Sequence, residues 1–246
     1  LVSIGYGRLD ITGYRAGVPA VVPGVPWRVV MQDKAVQICT GRWSVIEAQH
    51  LAAPAGVMEA AVIARNLSSR KVERAGMEAI FGAAPTPLAA SRDDVLTMLE
   101  QALIAGKIAC YAQGFEVFRA ASAEYSWNLD YAAIAKVWRA GCIIRSVFLD
   151  DIARVLDETP DQNLMATDFF ADLMKANEGG LRQVVAACAL NGLPAPALSS
   201  ALSYFDMSRT ERGTANMVQI QRDFFGHHGF ERLDRDGGGY HGPWVK

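Results

Sequence analysis

The sequence predicts an all-α protein with an extended C-terminal tail, and three observations carry that prediction. Residues 130–156 form a run that is apolar on every face between Val137 and Leu149, as in a helix surrounded by other helices. Residues 92–125 repeat apolar side chains at helical spacing over a long stretch. From Gly226 onward, glycines and histidines recur without any helical period, so the helical part is expected to end there.

The composition sets the class of protein. The chain has 246 residues, a net charge of -2 and 51% hydrophobic residues, which suits one large domain or two small ones with a sizeable core. The slightly acidic balance gives no overall field for nucleic acid or a membrane surface, and we expect neither as a partner. The four cysteines are far apart and lack CxxC spacing. This favours reduced thiols in a cytoplasmic protein over disulfides or a zinc site.

Residues 1–30 read as an irregular leader because glycine and proline interrupt them every few residues, with a short strand expected at residues 20–22. The Gly5-Tyr6-Gly7 sequence is too short for a dinucleotide-binding loop. Helical character begins at residues 29–36. After a turn at Thr40-Gly41, Ser44 is predicted to be the N-cap of a helix, with Glu47 completing a capping box.

A helix is predicted over residues 57–81, and its second half is basic. Arg65 lies beside Val62 and Ile63 on the apolar part of this helix, so it is expected to face something negative. The remaining basic residues, Arg70, Lys71 and Arg74, are interpreted as a solvated face.

Two long helices follow. Ser91 is the expected N-cap of a helix that reaches Tyr125, in which Gly106 and Gly114 are expected to allow close helix packing. The second is predicted as one continuous helix from Asp130 to 156, stopped by Pro160 and placed at the centre of the domain. Two arginines interrupt it, Arg139 and Arg145. Structural ion pairing is the favoured interpretation of both, and a pocket lined by them is the alternative.

The last third of the helical part is predicted as four helices, at residues 163–177, 181–190, 197–209 and 215–225, with Gly179-Gly180 separating the first two. The tail carries Phe230, Tyr240 and Trp244, which is unlike a disordered segment. We therefore expect the tail to lie across a surface, which in an oligomer could be the partner's surface.

The candidate site lies at the end of the last helix. Arg222, His227 and His228 stand beside a glycine there, a combination that suits an anion such as a phosphate. Arg42, Arg65 and Arg222 are the three arginines expected to meet on one oxyanion. No clustered metal ligands, nucleophile triad, paired carboxylates or P-loop motif appear, so no catalytic residue and no metal ligand is assigned.

Several blocks of sequence resemble the C-terminal part of decarboxylating 6-phosphogluconate dehydrogenases, in order and spacing, from about residue 31 to 244. They include Trp-Arg-Ala-Gly-Cys-Ile-Ile-Arg at 138–145 and Gln-Arg-Asp-Phe-Phe-Gly at 221–226, and the others lie at 40–43, 63–69, 111–115 and 163–170. The resemblance implies an oxidoreductase of the pentose phosphate pathway and gluconate utilisation. Such enzymes oxidise 6-phosphogluconate with NADP and release carbon dioxide to form ribulose 5-phosphate, without a metal.

The resemblance also implies site residues and a homodimer. Arg42 stands where the family usually has a lysine that contacts the substrate phosphate, and Ser44 where it has a threonine. Arg65 and Arg222 match phosphate-binding arginines, the latter reaching the site from the other subunit together with His228. His241 also matches a tail histidine, one without an assigned role. In the family the helical domain forms the dimer core and the tail threads through the partner.

The resemblance further implies what the sequence does not contain. Neither the family's nucleotide-binding domain, which binds NADP, nor its helix with the catalytic lysine and glutamate has a counterpart in residues 1–30. The expected division is therefore a leader (1–30), a helical substrate and dimerisation domain (31–225) and a tail that reaches the partner (226–246). The chain alone is expected not to reduce NADP.

Two alternatives remain. One is a catalytically inactive helical module for dimerisation or sugar-phosphate binding. The other is a different β-hydroxyacid dehydrogenase, which the Gln-Arg-Asp-Phe-Phe-Gly block and the long tail disfavour.

Overall fold

The structure is a computed structural model that describes residues 40–83, 91–139 and 146–244, and the regular structure there is helical, which confirms the all-α prediction. The leader and the helix expected at 29–36 lie outside these residues. The helices are α1 (Thr40–His50), α2 (Gly56–Ser68), α3 (Lys71–Phe81), α4 (Arg92–Tyr125), α5 (Tyr131–Arg139), α6 (Phe148–Glu158), a 3₁₀ turn (Leu164–Ala166), α7 (Asp168–Leu190), α8 (Pro196–Ser208) and α9 (Ala215–Gly226). The described part of the chain divides into two compact units, with the boundary between Leu202 and Ser203.

The core of the first unit is the packing of α4 against α7. The buried face of α4 is built largely from alanine and glycine, which lets another helix approach its backbone closely. Larger side chains fill the remaining space, among them Ile108 and Phe115 of α4 and Phe170 and Leu181 of α7, all fully buried. Burial of such side chains contributes about 1.5–3 kcal/mol each, so this helix pair supplies much of the stability.

The single helix predicted at the centre, residues 130–156, is wrong. The structure has two helices, α5 and α6, which pack against each other, and Ser146 and Val147 between them are not helical. Residues 140–145 lie outside the described part of the chain. The apolar run that favoured one helix falls largely on residues 140–147, between the two helices. In α6 the buried side chains, such as Leu149 and Ile152, share one face.

Arg139 joins these two helices, as the favoured interpretation of its role predicted. Its Nη1 lies 2.6 Å from Oδ1 of Asp150, and both side chains are more than half exposed. An exposed pair of this kind contributes little stability, about 0–1 kcal/mol. Arg145 lies outside the described residues.

The helix predicted over 57–81 is also interrupted. It ends at Ser68, and α3 starts at Lys71. The Oγ of Ser69 donates to the carbonyl of Asn66 (2.7 Å), a local hydrogen bond that competes with helix continuation.

The predicted cap at Ser44 is likewise wrong, because α1 begins at Thr40. Ser44 lies inside that helix, and its hydroxyl donates back to the Thr40 carbonyl at 3.0 Å.

The break predicted at Gly179-Gly180 does not occur, since α7 runs through both residues. Gly180 is buried, and a Cβ placed there would lie 2.4 Å from both Cβ and Oε1 of Gln101 in α4. The glycine therefore serves the close packing of α4 and α7. Gly106 has a similar place, since its Cβ would lie 3.0 Å from Leu198 of α8, which confirms the expected close packing there. At Gly114 no described residue lies within 4 Å of an added Cβ, so the described part of the chain shows no such approach.

Other helix ends follow the predictions. The Oγ of Ser91 accepts from the Asp94 amide at 3.1 Å, and Oδ1 of Asp130 accepts from the Ala133 amide at 2.8 Å. Among the described helices, α4 alone is long and apolar enough to cross a membrane by length and composition. Its packing against α7 and α2 is that of a core helix in a helical domain.

Candidate functional site

The first unit carries Arg42, Ser44 and Arg65 on two helices that contact each other, α1 and α2. All three side chains are exposed. Arg42 lies about two turns before the end of α1, and Arg65 lies in the last turn of α2, about two and a half turns after its start. Residues 51–55 connect the two helices.

Hydrogen bonds to α4 hold both helices in place. The hydroxyl of Tyr125 donates to Oε1 of Glu47 in α1 at 2.8 Å. The amide of Val57, at the start of α2, donates to Oε1 of Gln113 at 2.9 Å. Gln113 is almost completely buried in α4, so this hydrogen bond also satisfies a polar group in the core.

The structure does not bring Arg42 and Ser44 to one face. They are two residues apart within α1, and residues at that spacing point to nearly opposite sides of a helix. In this structure Ser44 therefore does not line the same surface as Arg42.

In the second unit, the imidazole of His228 lies against Gly226, one turn beyond Arg222 on α9. A Cβ on Gly226 would lie 2.6 Å from Nε2 and 2.8 Å from Cδ2 of His228, so the imidazole occupies the space of a side chain at position 226. Position 226 is one turn beyond Arg222 on the same helix face, where neighbouring side chains are about 5–6 Å apart. The guanidinium of Arg222, which bonds Gln219 at 3.1 Å, and the imidazole of His228 thus share one exposed face.

The chain reverses direction between these two residues because of the way α9 ends. His227 adopts a left-handed conformation with φ of 51°, and its amide donates to the Asp223 carbonyl at 2.9 Å. This is a common helix ending, and it turns the next residue back over the last turn. The sequence indicated Arg222 and His228 as site residues, but the folding of the ring onto Gly226 was not predicted.

Asp223 is the residue that sequence reasoning missed. It is fully buried, and its carboxylate accepts hydrogen bonds from the amides of Gly229 and Gly242 and from Nε1 of Trp244, all at 2.9 Å. Nδ1 of His241 lies 2.6 Å from Oδ1 of the same carboxylate. In the sequence, the only hint was that Asp223 lies close to two glycines and two histidines. Aspartate usually lies at the protein surface, so nothing indicated that this one is buried.

These bonds keep the Asp223 carboxylate ionised. Burial by itself would raise its pKa, but the hydrogen bonds from Gly242, His241, Gly229 and Trp244 outweigh burial and lower the pKa far below its ordinary value of 3.8. Because the pKa is lowered in the folded state, the stabilisation is complete above about pH 3.8 and is lost only as the pH falls below it.

Residues 227–244 of the tail contain no helix, as predicted, but they fold back on themselves rather than lying extended. Phe230 and Tyr240 exchange two backbone hydrogen bonds of 2.9 and 3.0 Å in an antiparallel bridge. Within this loop Arg232 makes two bonds, of 2.8 and 2.7 Å, to the carboxylate of Asp234. The tail is therefore a closed loop that Asp223 anchors to the end of α9.

The comparison with protein families now bears on this site. The family model of the 6-phosphogluconate dehydrogenase C-terminal domain matches residues 24–244. This chain belongs to the 6-phosphogluconate dehydrogenase family. The family resemblance drawn from the sequence blocks is thereby confirmed, and the match starts at residue 24, inside the segment that the sequence alone had set apart as a leader.

Individual relatives agree with this assignment. The chain is 39% identical over 225 residues to the NADP(+)-dependent, decarboxylating 6-phosphogluconate dehydrogenase of Bacillus subtilis, covering 91% of this chain and 48% of that protein. It is 44% identical to the decarboxylating 6-phosphogluconate dehydrogenase 1 of Saccharomyces cerevisiae, covering 86% of this chain and 44% of that one. The chain thus spans about half the length of the curated relatives it matches.

A solved structure confirms the family's helical fold. The 6-phosphogluconate dehydrogenase of Plasmodium falciparum, studied in its apo form and in complex with NADP+ and with 6-phosphogluconate, superimposes with a TM-score of 0.84 at 35% identity. The match covers 89% of this chain and 47% of that one.

Proposed function

We propose that this chain is the substrate-binding and dimer-forming part of an NADP-dependent 6-phosphogluconate dehydrogenase. Such an enzyme converts 6-phosphogluconate to ribulose 5-phosphate by oxidation and decarboxylation. The observation that carries the proposal is the imidazole of His228 lying over Gly226, one turn from Arg222. This arrangement places two groups suited to a phosphate on one exposed helix face.

The chemistry of the proposed site is phosphate recognition. A guanidinium can donate two parallel hydrogen bonds to phosphate oxygens, which gives both charge neutralisation and orientation. An imidazole adds a donor whose charge changes near neutral pH. In the proposed site, Arg222 and His228 of one chain bind the phosphate, and Arg42 and Arg65 of a second chain complete the site from α1 and α2. Holding the phosphate fixes the sugar acid for the reaction at its other end.

The described residues are assigned no step of the oxidation or decarboxylation. NADP does not fit this part of the chain, because the described residues contain no glycine-rich turn between a strand and a helix of the kind that binds its pyrophosphate. Their contribution is therefore to bind and orient the substrate, and we expect the 246-residue chain alone not to reduce NADP.

We propose that the complete site forms between two copies of the chain in a cytoplasmic homodimer. The support comes from α9, in which Asp223 is the only buried residue. Its apolar side chains remain exposed: Met217, Val218, Ile220, Phe224 and Phe225. A helix that exposes this much apolar surface is typical of an interface.

Calorimetric titration of the purified chain with 6-phosphogluconate and with gluconate tests the substrate assignment. Gluconate lacks only the phosphate, so we expect it to bind more weakly by roughly tenfold or more, the loss of at least one charged hydrogen bond. Sedimentation equilibrium on the same sample should give twice the chain mass. Equal affinity for the two sugar acids would contradict phosphate recognition, and a monomer would contradict the shared site.

A further inference from the structure

We propose that Asp223 is a positioning residue of the phosphate site, which sets the imidazole of His228 beside Arg222 without touching the substrate. This inference rests on the proposed function of Arg222 and His228. It assigns the alignment of that pair to one buried carboxylate.

The loop at residues 226–229 is held by Asp223 on both sides of His228. Asp223 closes this loop twice, because its carbonyl accepts from the His227 amide and its Oδ1 accepts from the Gly229 amide, each at 2.9 Å. His228 lies between these two bonded residues. Its backbone is therefore fixed on both sides by the same aspartate, and its ring is directed back onto Gly226.

The tail binds the other oxygen of the Asp223 carboxylate. The other carboxylate oxygen, Oδ2, accepts from the Gly242 amide and from Nε1 of Trp244, while Nδ1 of His241 lies against Oδ1. The indole of Trp244 packs on Gly242, since a Cβ there would lie 2.1 Å from the ring. The tail thus covers the carboxylate and excludes water from it, which strengthens the bonds that hold the 226–229 loop.

Among side chains of this shape, only a carboxylate matches the hydrogen-bond donors around position 223. Every group directed at Asp223 in the described structure is an N–H group or an imidazole nitrogen. An asparagine has the same shape but one acceptor oxygen, so its NH₂ group would face N–H donors whichever way the amide is turned. Asp223→Asn should therefore release either the loop or the tail.

The test uses Asp223→Asn, His228→Ala and the double variant, each titrated with 6-phosphogluconate. We expect each single variant to raise the Kd by roughly tenfold, and the double variant to bind no more weakly than His228→Ala alone. Losses of affinity that do not add are expected if Asp223 acts only by positioning His228. Additive losses would overturn the proposal, because they would mean that Asp223 supports the site by another route.

A second variant and a second measurement cover the case in which Asp223→Asn misfolds. Gly226→Ala should displace the imidazole by its added Cβ and raise the Kd to a similar extent, while Gly213→Ala, with nothing within 4 Å, should leave the Kd unchanged. Nuclear Overhauser contacts between the His228 ring and Gly226 should be present in the wild-type chain and absent in Asp223→Asn. If the wild-type chain does not bind 6-phosphogluconate, the proposed function fails. The ring contacts still decide the positioning role, and their persistence in Asp223→Asn would overturn it.

Discussion

Replacing Arg65 by alanine is expected to raise the Kd for 6-phosphogluconate by roughly 10- to 100-fold, the effect of losing one or two charged hydrogen bonds to phosphate. Arg65 is exposed in the last turn of α2, a helix fixed to α4 through Gln113, so its removal should leave the fold unchanged. Arg65→Lys should recover only part of the affinity, because an ammonium lacks the two-pronged geometry. Calorimetric titration measures all three chains.

The matched control is Arg70→Ala. Arg70 lies just past α2, is exposed, and makes an ion pair of 3.7 Å with Glu73, so it carries the same charge close by without a proposed role in the site. Its removal should leave the Kd unchanged within a factor of about two. If Arg70→Ala weakens binding as much as Arg65→Ala, the effect is general attraction by positive charge and Arg65 has no specific place in the site.

Replacing Gly180 by alanine is expected to destabilise the first unit by about 1–3 kcal/mol, the usual cost of overpacking a core. The added methyl group would lie 2.4 Å from Cβ and Oε1 of Gln101, and the Cβ of Gln101 moves only with the backbone of α4. The two core helices would have to move apart at this contact. Chemical denaturation monitored by circular dichroism gives the free energy of unfolding.

Gly179→Ala is the control for that measurement. Gly179 is the preceding residue of α7, is exposed, and has nothing within 4 Å of its added Cβ. Alanine is a better helix former than glycine by about 1 kcal/mol, so this variant should be slightly more stable than the wild-type chain. Equal and favourable effects at both positions would show that α4 and α7 do not approach as closely as the structure has them.

The same glycines show where sequence reasoning about the fold succeeds and fails. The existence of helices and the caps at Ser91 and Asp130 follow from local chemistry, and the structure confirms them. Whether a helix continues through a given residue depends on contacts with residues far away in sequence. Gly180 favours a break locally, but contact with Gln101 in α4, far away in sequence, keeps α7 continuous. The run at 130–156 favours one helix locally, yet the structure has two helices, α5 and α6, that pack on each other.

The candidate site divides in a similar way. The residue types at Arg222 and His228 indicated an anion site, and the structure has the His228 ring over Gly226, one turn from Arg222. Asp223 lies between them in the chain but could not be found from the sequence. Its role depends on the N–H groups that donate to its carboxylate, and these are known only from the fold. Two of these, Gly242 and Trp244, come from the far end of the tail. Ser44 was assigned by resemblance alone, and α1 places it away from the face that carries Arg42.

The central claim is that Arg65 of one chain and Arg222 of its partner bind the same phosphate. Co-expression of Arg65→Ala and Arg222→Ala chains with different tags tests it most directly. Each homodimer lacks a complete site, whereas the mixed dimer has one site with both arginines and one with neither. Calorimetric titration of the unfractionated mixture should give about a quarter of the wild-type number of tight sites for 6-phosphogluconate. Mixed dimers confirmed by both tags but without any tight site would contradict the claim.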